Sequence, residues 1–134
     1  MKKVLLSLLV AAVVVSADGD VQNERIKTMR NFEGALATIQ KGFLYNNESL
    51  VKKGVGDFQD NLRHSDSFII EIDKKESTGK FDARTYANTE ARAISKLVDE
   101  LEENFKTGTK LKSVAVYNEI VDRCLTCHRI IRKW

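Results

Sequence analysis

The apolar residues of this chain recur at intervals of three and four and do not alternate one by one as in a β-strand. Such intervals place side chains on one face of an α-helix. The 134 residues include no proline and only seven glycines, so little in the composition interrupts long helices. The spacing therefore predicts an all-α protein, and a chain of this length forms one domain.

Four stretches carry such an apolar face, and short polar breaks separate most of them. The predicted helices cover about residues 23–45, 48–73, 82–106 and 110–133. Asn46 and Asn47 are candidate N-caps of the second helix, Asp82 is the candidate cap of the third, and Gly108 helps to end it. Because helices joined by short connections pack in opposite directions, the pattern favours an antiparallel four-helix bundle.

The apolar faces of the first and fourth helices contain several of the residues that are candidates for a functional site. The first face comprises Ile26, Met29, Phe32, Leu36, Ile39 and Phe43, and the fourth comprises Val114, Tyr117, Val121, Cys124, His128 and Ile131. Each set follows the alternating step of three and four that is typical of bundle helices. We therefore expect both sets to face the interior of the bundle.

The first 17 residues have the composition of a secretory signal peptide. Lys2 and Lys3 precede an apolar run of 12 residues, Val4 to Val15, and Ala17 ends a small-residue cleavage site. A run of this length is shorter than the roughly 20 residues that span a bilayer as a helix. We therefore expect residues 1–17 to be a signal peptide and residues 18–134 to be one periplasmic domain. Retention of the segment as an uncleaved anchor is the alternative.

The charge of the chain gives no indication of a nucleic-acid partner. The full sequence has a formal net charge of +3, and removal of Lys2 and Lys3 leaves 20 basic against 19 acidic residues. A nearly neutral domain lacks the basic surface that phosphate backbones require.

The chemistry of the chain is concentrated near its end, in Cys124-Leu125-Thr126-Cys127-His128. Cys-x-x-Cys-His is the attachment signature of c-type haem. In such proteins the two thiols add to the porphyrin vinyl groups as thioethers, and the adjacent histidine is the proximal iron ligand. An exported protein meets an oxidising compartment, where two free thiols at this spacing would be used covalently. The motif predicts one covalently bound haem c.

Three other uses of the two cysteines compete with haem. A structural zinc site needs four ligands, and beyond the motif the chain offers only His64 and carboxylates. A thioredoxin-like redox pair is expected next to a strand, and the pattern predicts none. A disulfide between Cys124 and Cys127 would strain a helix and would leave His128 without a role.

The export signal, the four helical faces and a single Cys-x-x-Cys-His motif in the last helix together resemble the cytochrome c′ family, whose members are exported four-helix-bundle haem proteins. The likeness covers the layout of the whole mature chain, and its specific part is the C-terminal motif. Members usually place an aromatic and then a basic residue shortly after the histidine. Here Arg132 is the basic residue, and Ile131 stands where the aromatic residue is usual.

The resemblance also implies roles for residues of the first helix. Family members often carry an arginine early in this helix and, four residues later, the side chain that faces the distal side of the iron; these positions correspond to Arg25 and Met29. A methionine there ligates iron in the low-spin relatives, which implies axial ligation by His128 and Met29. Packing in the core is the alternative for Met29. His64, the other candidate sixth ligand, falls off the second apolar face and is expected at the surface.

Arg25 and Arg132 are candidate partners of the haem propionates, since a guanidinium matches the geometry of a carboxylate. Solvated surface arginines are the alternative for both. Iron with both axial positions filled exchanges electrons and offers no site to a substrate. The leading hypothesis is therefore an electron carrier, without enzyme activity of its own, that serves redox partner proteins of the periplasm.

Two further hypotheses remain open at the level of the sequence. An empty distal site would make the chain a five-coordinate cytochrome c′ that binds or scavenges nitric oxide or carbon monoxide, as other family members do. The chain could also serve as a haem-bearing subunit of a larger redox enzyme. Family members are frequently homodimers through their first two helices, and the second apolar face permits the same here.

Overall fold

The chain folds into four α-helices in the computed structural model, which describes residues 17–65, 79 and 81–133. The helices are α1 (Ala17–Leu44), α2 (Glu48–Arg63), α3 (Ala83–Lys106) and α4 (Lys110–Arg132). Within these ranges there is no strand, so the prediction of an all-α four-helix bundle is confirmed. The predicted signal peptide, apart from Ala17, lies outside the described residues.

Side chains at the helix starts explain where α2 and α3 begin. The carboxamide oxygen of Asn47 accepts a hydrogen bond from the backbone N–H of Leu50, and the carboxylate of Asp82 accepts one from the N–H of Thr85. These bonds satisfy donors that the first turn of a helix leaves free. Both residues are the caps that the sequence predicts.

Two helix boundaries differ from the prediction. Helix α1 already includes Ala17, the first described residue, and so extends upstream of the predicted start near residue 23. Helix α2 ends at Arg63, whereas the apolar pattern predicts a continuation to about residue 73. The hydroxyl and the N–H of Ser65 both donate to the carbonyl of Leu62, and this local turn ends the helix. Residues 66–78 lie outside the described part of the chain.

The core of the bundle is formed mainly by α2 and α3, with parts of α1 and α4. It comprises Ala35, Ile39, Val51, Val55, Phe58, Ile94, Val98, Leu101, Phe105, Val116 and Ile120. Helix α1 packs on α2, α2 on α3, and α3 on α4. Rings of α1, α3 and α4 meet at one end of the bundle, where the ring centroids of Phe43 lie 5.5 Å from Phe105 and 5.7 Å from Tyr117.

The predicted inward faces of α1 and α4 are correct only in part. Ile26 and Val114 are exposed, and the buried residues of α4 include Val116 and Ile120, which the predicted face omits. Helix α4 carries apolar residues on more than one face, so the sequence spacing alone does not select the face that packs on α3.

A glycine allows α1 and α2 to approach closely. A methyl group at Gly54 would lie 2.6 Å from Cγ1 of Ile39 and 2.8 Å from the carbonyl oxygen of Ala35, whereas one at Gly56 would meet nothing within 4 Å. Contacts under 3 Å require the two helices to move apart. Glycine is a poor helix former, but at position 54 its lack of a side chain allows α2 to pack closely on α1.

We expect Gly54→Ala to lower the free energy of unfolding by about 1–3 kcal/mol, because the added methyl overfills the interface. Gly56→Ala should raise it by about 0.5–1 kcal/mol, since alanine is the better helix former at an open position. Urea unfolding followed by circular dichroism measures both. Equal effects of the two substitutions would contradict the close approach at Gly54.

Candidate functional site

A cavity of about 540 Å³ lies between α1 and α4, with α2 and α3 forming its inner wall. Most of its lining residues come from α1 and α4, and most are apolar. Sites for cofactors and other small molecules commonly have volumes of about 300–1,000 Å³ and largely apolar walls. The cavity therefore has the size and lining of a cofactor site.

The inward faces of α1 and α4 are directed at this cavity. Met29, Phe32 and Leu36 of α1 are only partly buried, as are Tyr117 and Val121 of α4, although all five lie on the predicted inward faces. In a bundle whose helices met along their whole length, such residues would be covered by the opposite helix. Here α1 and α4 leave a space between their apolar faces.

Aromatic residues close the cavity at one end. The ring of Tyr117 contacts that of Phe43, and its hydroxyl donates to the carbonyl oxygen of Leu36 over 3.5 Å. On the inner wall the rings of Phe32 and Phe58 pack with centroids 4.6 Å apart. The cavity extends from this end toward the start of α1 and the last turns of α4.

Helix α4 directs the residues of the Cys-x-x-Cys-His motif into the cavity. Cys124 lies one helical turn before Cys127 and His128, so the three side chains share a face. All three line the cavity and are partly buried, while Leu125 between them is exposed at its edge. The two cysteines are free thiols. The structure thus gathers the motif at a single surface of the cavity.

Burial changes the acidity of both thiols. It raises the pKa of Cys124 to about 11, with a further contribution from the neighbouring Cys127 thiol. Burial and the carboxylate of Glu90 likewise raise the pKa of Cys127. A thiol whose charged form is disfavoured stays protonated and unreactive toward solvent oxidants at neutral pH.

The histidine is held in its neutral form. Burial, followed by the positive charge of Arg132, lowers the pKa of His128. A neutral imidazole presents a nitrogen lone pair, which is the form that a metal requires. The last turns of α4 thus contribute a candidate ligand, His128, and a charge on Arg132 that favours its neutral form.

Sequence reasoning missed an ion pair beside the thiols. The carboxylate of Glu90 on α3 lines the cavity, is 16% exposed, and lies 3.1 Å from the guanidinium of Arg123 on α4. Arg123 also bonds to Glu119 over 3.2 Å. A signal was present, because Glu90 stands four residues before Ile94 on the apolar face of α3. A charged residue at such a position indicates a buried partner.

Helix α1 contributes Met29 and Arg25 to the same cavity. Met29 packs against a small cluster formed by Ala83, Ala87 and Ile131. The Nε atom of Arg25 is buried and has no hydrogen-bond partner among the described residues. A buried donor without an acceptor costs roughly 1–3 kcal/mol, so a hydrogen-bond acceptor placed at this position would stabilise the protein.

Of the two remaining candidates from the sequence, Arg132 lies at the cavity and His64 does not. Arg132 is exposed at the surface and lines the cavity at the end of α4. His64 is exposed at the end of α2, where its Nδ1 lies 2.7 Å from the carbonyl oxygen of Asp60. It lines a polar groove between α1 and α2, not the cavity. The structure therefore brings together all the predicted site residues and leaves His64 apart.

Comparison of the chain with protein-family models, curated proteins and solved structures finds no match in any of the three. Among the described residues, no helix combines the length and apolarity that spanning a membrane requires. The same residues contain no group of three or more His, Cys, Asp or Glu side chains arranged to hold a metal ion.

The thiols of the haem-free protein should react slowly with iodoacetamide, because only the thiolate is nucleophilic. With the pKa of Cys124 at about 11, its alkylation at pH 8 should be about a hundredfold slower than in urea-unfolded chain and should accelerate up to pH 11. Mass spectrometry of quenched samples gives both rates. A folded protein whose thiols titrate near pH 9 would contradict the burial of Cys124.

Proposed function

We propose that the chain is an exported c-type cytochrome that binds one haem in the cavity between α1 and α4 and carries single electrons. The observation that carries the proposal is the convergence of two thiols, an imidazole and a thioether on one apolar cavity that the bundle leaves unfilled. These are the donor types that covalent haem attachment and axial ligation require.

The residues of the cavity fit a haem in their chemistry. Cys124 and Cys127 would form the thioether bonds, and His128 would be the proximal ligand of the iron. The buried Nε of Arg25 and the guanidinium of Arg132 would bind the propionates, which supplies the acceptor that Arg25 lacks. When bound, the haem supplies an iron that changes oxidation state by one electron.

The chain's own residues would set the properties of such a site. Met29 would occupy the distal position and keep other ligands out, and a thioether in that position favours the reduced state. Phe32, Leu36 and Phe58 would exclude water from the interior face of the cofactor. The partly exposed edge near Leu125 would be the surface at which electrons leave for a partner.

The direction of the helices, the fate of the first 17 residues and the location of the protein are part of the same proposal. We infer an antiparallel bundle, because early residues of one helix contact late residues of another: Asn61 donates to the carbonyl of Thr28, and Ser113 donates to that of Leu101. We also propose cleavage of residues 1–17 and a periplasmic location, since covalent haem attachment follows export. Its redox partners would be periplasmic proteins that form small and transient interfaces.

Expression with and without the haem maturation machinery, followed by mass spectrometry of the exported chain, tests the proposal directly. The mature chain should begin after Ala17 and should carry one haem that survives denaturation. Cys124→Ser combined with Cys127→Ser should abolish the added mass, while Ser113→Cys, which supplies a thiol outside the cavity, should not add a second haem. A chain that gains no haem while the machinery is present refutes the function.

The Met29→Leu substitution tests the distal ligand, because leucine preserves most of the volume but provides no sulfur. The oxidised and reduced spectra should change from low spin to high spin, and the reduced variant should bind carbon monoxide. Leu36→Ala, on the same helix and in the same cavity, is the matched control and should leave the spin state unchanged.

The same spectra decide between the carrier and a gas-binding cytochrome c′. If the unmodified protein is already high spin and binds carbon monoxide, Met29 packs in the wall and the five-coordinate gas-binding function is correct. If Met29→Leu alone opens the iron, the electron carrier is correct.

Replacement of Arg25 should change the stability of the haem-free and the haem-loaded protein in opposite directions, because its buried Nε has no acceptor among the described residues. In the haem-free chain, Arg25→Met should raise the free energy of unfolding by about 1 kcal/mol, because it removes a buried N–H without an acceptor. In the haem-loaded protein it should lower stability by a similar amount, since a propionate bond is lost. Urea unfolding measures both forms. Arg30→Met, an exposed position on α1, should stay within about 0.5 kcal/mol in each, and equal signs for Arg25→Met would argue against a propionate contact.

A further inference from the structure

The most exposed large apolar side chains of the described residues lie at one end of the bundle. This end, which we term the turn end, consists of residues 41–51 and 103–113, the two helix-joining turns with the adjacent helix ends. Leu44 is 76% exposed, Tyr45 70% and Leu111 87%, whereas no other large apolar side chain in the described part exceeds 53%. Exposed apolar side chains that lie together at one place mark an interaction surface.

The two turns are held next to each other by contacts between the helices. The side-chain nitrogen of Lys110 contacts the carboxamide of Asn46, and it also lies 5.1 Å from the centroid of the Phe105 ring. Phe105 in turn stacks on Phe43. Leu44 and Tyr45 at one turn and Leu111 after the other therefore project from the same end of the molecule.

The charge around these side chains is positive. The turn end carries four lysines and two glutamates, all exposed: Lys41, Lys106, Lys110, Lys112, Glu48 and Glu103. A domain close to neutral overall thus concentrates a net positive charge at the place where its apolar residues protrude. Lysines around leucine and tyrosine form the combination that binds the interface of an anionic bilayer.

No segment outside the described residues begins at this end. Residues 1–16 precede α1, residues 66–78 and 80 lie between α2 and α3, and Trp134 follows α4. The three helix ends concerned, at Ala17, Arg63 and Arg132, are all distant along their helices from the two turns. The haem cavity opens between α1 and α4, so a cofactor would not cover Leu44, Tyr45 or Leu111 either.

We propose that the turn end docks on the surface of anionic phospholipid bilayers, with Leu44, Tyr45 and Leu111 entering the interface and the lysines contacting the headgroups. A lipid surface is favoured over a protein partner because the exposed lysines around the apolar side chains complement anionic headgroups. Tyrosine is enriched at the headgroup level of membranes, and lysine stems extend along apolar surface toward charged groups.

The docked orientation is compatible with electron transfer. His128 lies about 27 Å from Lys110 along the axis of α4 at the helical rise per residue, so the motif would stand clear of the bilayer. The docking itself requires no haem, and its failure would leave the proposed function untouched.

Sedimentation of the exported protein with sucrose-loaded vesicles, read by gel staining, tests the proposal. Vesicles of phosphatidylcholine and phosphatidylglycerol in equal amounts should bind the protein, pure phosphatidylcholine vesicles should bind it weakly, and added salt should release it. Leu44→Ser with Leu111→Ser should weaken binding about tenfold or more. Lys41→Gln with Lys112→Gln should weaken it by about fivefold per lysine.

Matched substitutions elsewhere serve as controls. Lys27→Gln with Lys96→Gln removes the same charge from exposed positions outside the turn end, and Ile26→Ser removes an exposed apolar side chain from the far part of α1. These variants should bind like the unmodified protein, and circular dichroism should show the same helix content for all.

Three results would overturn the proposal. The first is absence of binding to the anionic vesicles. The second is binding that the control variants reduce as strongly as the turn-end variants, which would indicate attraction by overall charge. The third is a dimer in analytical ultracentrifugation that Leu44→Ser with Leu111→Ser dissociates, which would assign the turn end to a second copy of the chain.

Discussion

The structure depends on an apolar space that its own side chains line but do not fill. Apolar side chains that border a void lose the favourable free energy of burying their surface. They also lose van der Waals contacts with neighbouring atoms. Helices α2 and α3 avoid this cost by packing their faces into a core. Helices α1 and α4 do so only in part: Ala35, Ile39, Val116 and Ile120 join the core, whereas Met29, Phe32, Val121 and Cys124 border a cavity of about 540 Å³. The haem that we propose for this cavity would supply the contacts that these side chains lack.

The polar atoms around the cavity limit what that occupant can be. His128, whose pKa is lowered by burial, the two free thiols, the Nε of Arg25 and the carboxylate of Glu90 lie among walls that are mostly apolar. The occupant must therefore be mostly apolar, must accept a hydrogen bond at one end, and must react with or bind sulfur and nitrogen at one side. The proposed haem would meet all three requirements. The ion pair of Glu90 and Arg123 adds a fixed pair of charges near the thiols and joins α3 to α4.

The two ends of the bundle differ in their chemistry. The rings of Phe43 and Phe105 stack, the ring of Tyr117 meets that of Phe43 edge to face, and these contacts hold α1, α3 and α4 together near the turn end. Toward the other end the same two helices are separated by the cavity, and Met29 and Cys127 pack against a smaller apolar cluster. In the proposed function, the turn end would bind a bilayer through its leucines and lysines. The open side with the cysteines and His128 would remain free to exchange electrons at the same time.

The sequence by itself determined the helical class, the number of helices and the positions of the caps Asn47 and Asp82, because periodicity and capping are local properties of the chain. It also singled out Cys124, Cys127 and His128 by their types and spacing, while the resemblance to the cytochrome c′ family added Met29, Arg25 and Arg132 as candidates. The tertiary structure decided which apolar face of α4 packs on α3, where α2 ends, that Gly54 is a contact point, and that Glu90 pairs with Arg123. These features depend on how two helices approach each other. Spacing along one helix contains no information about the distance to the next.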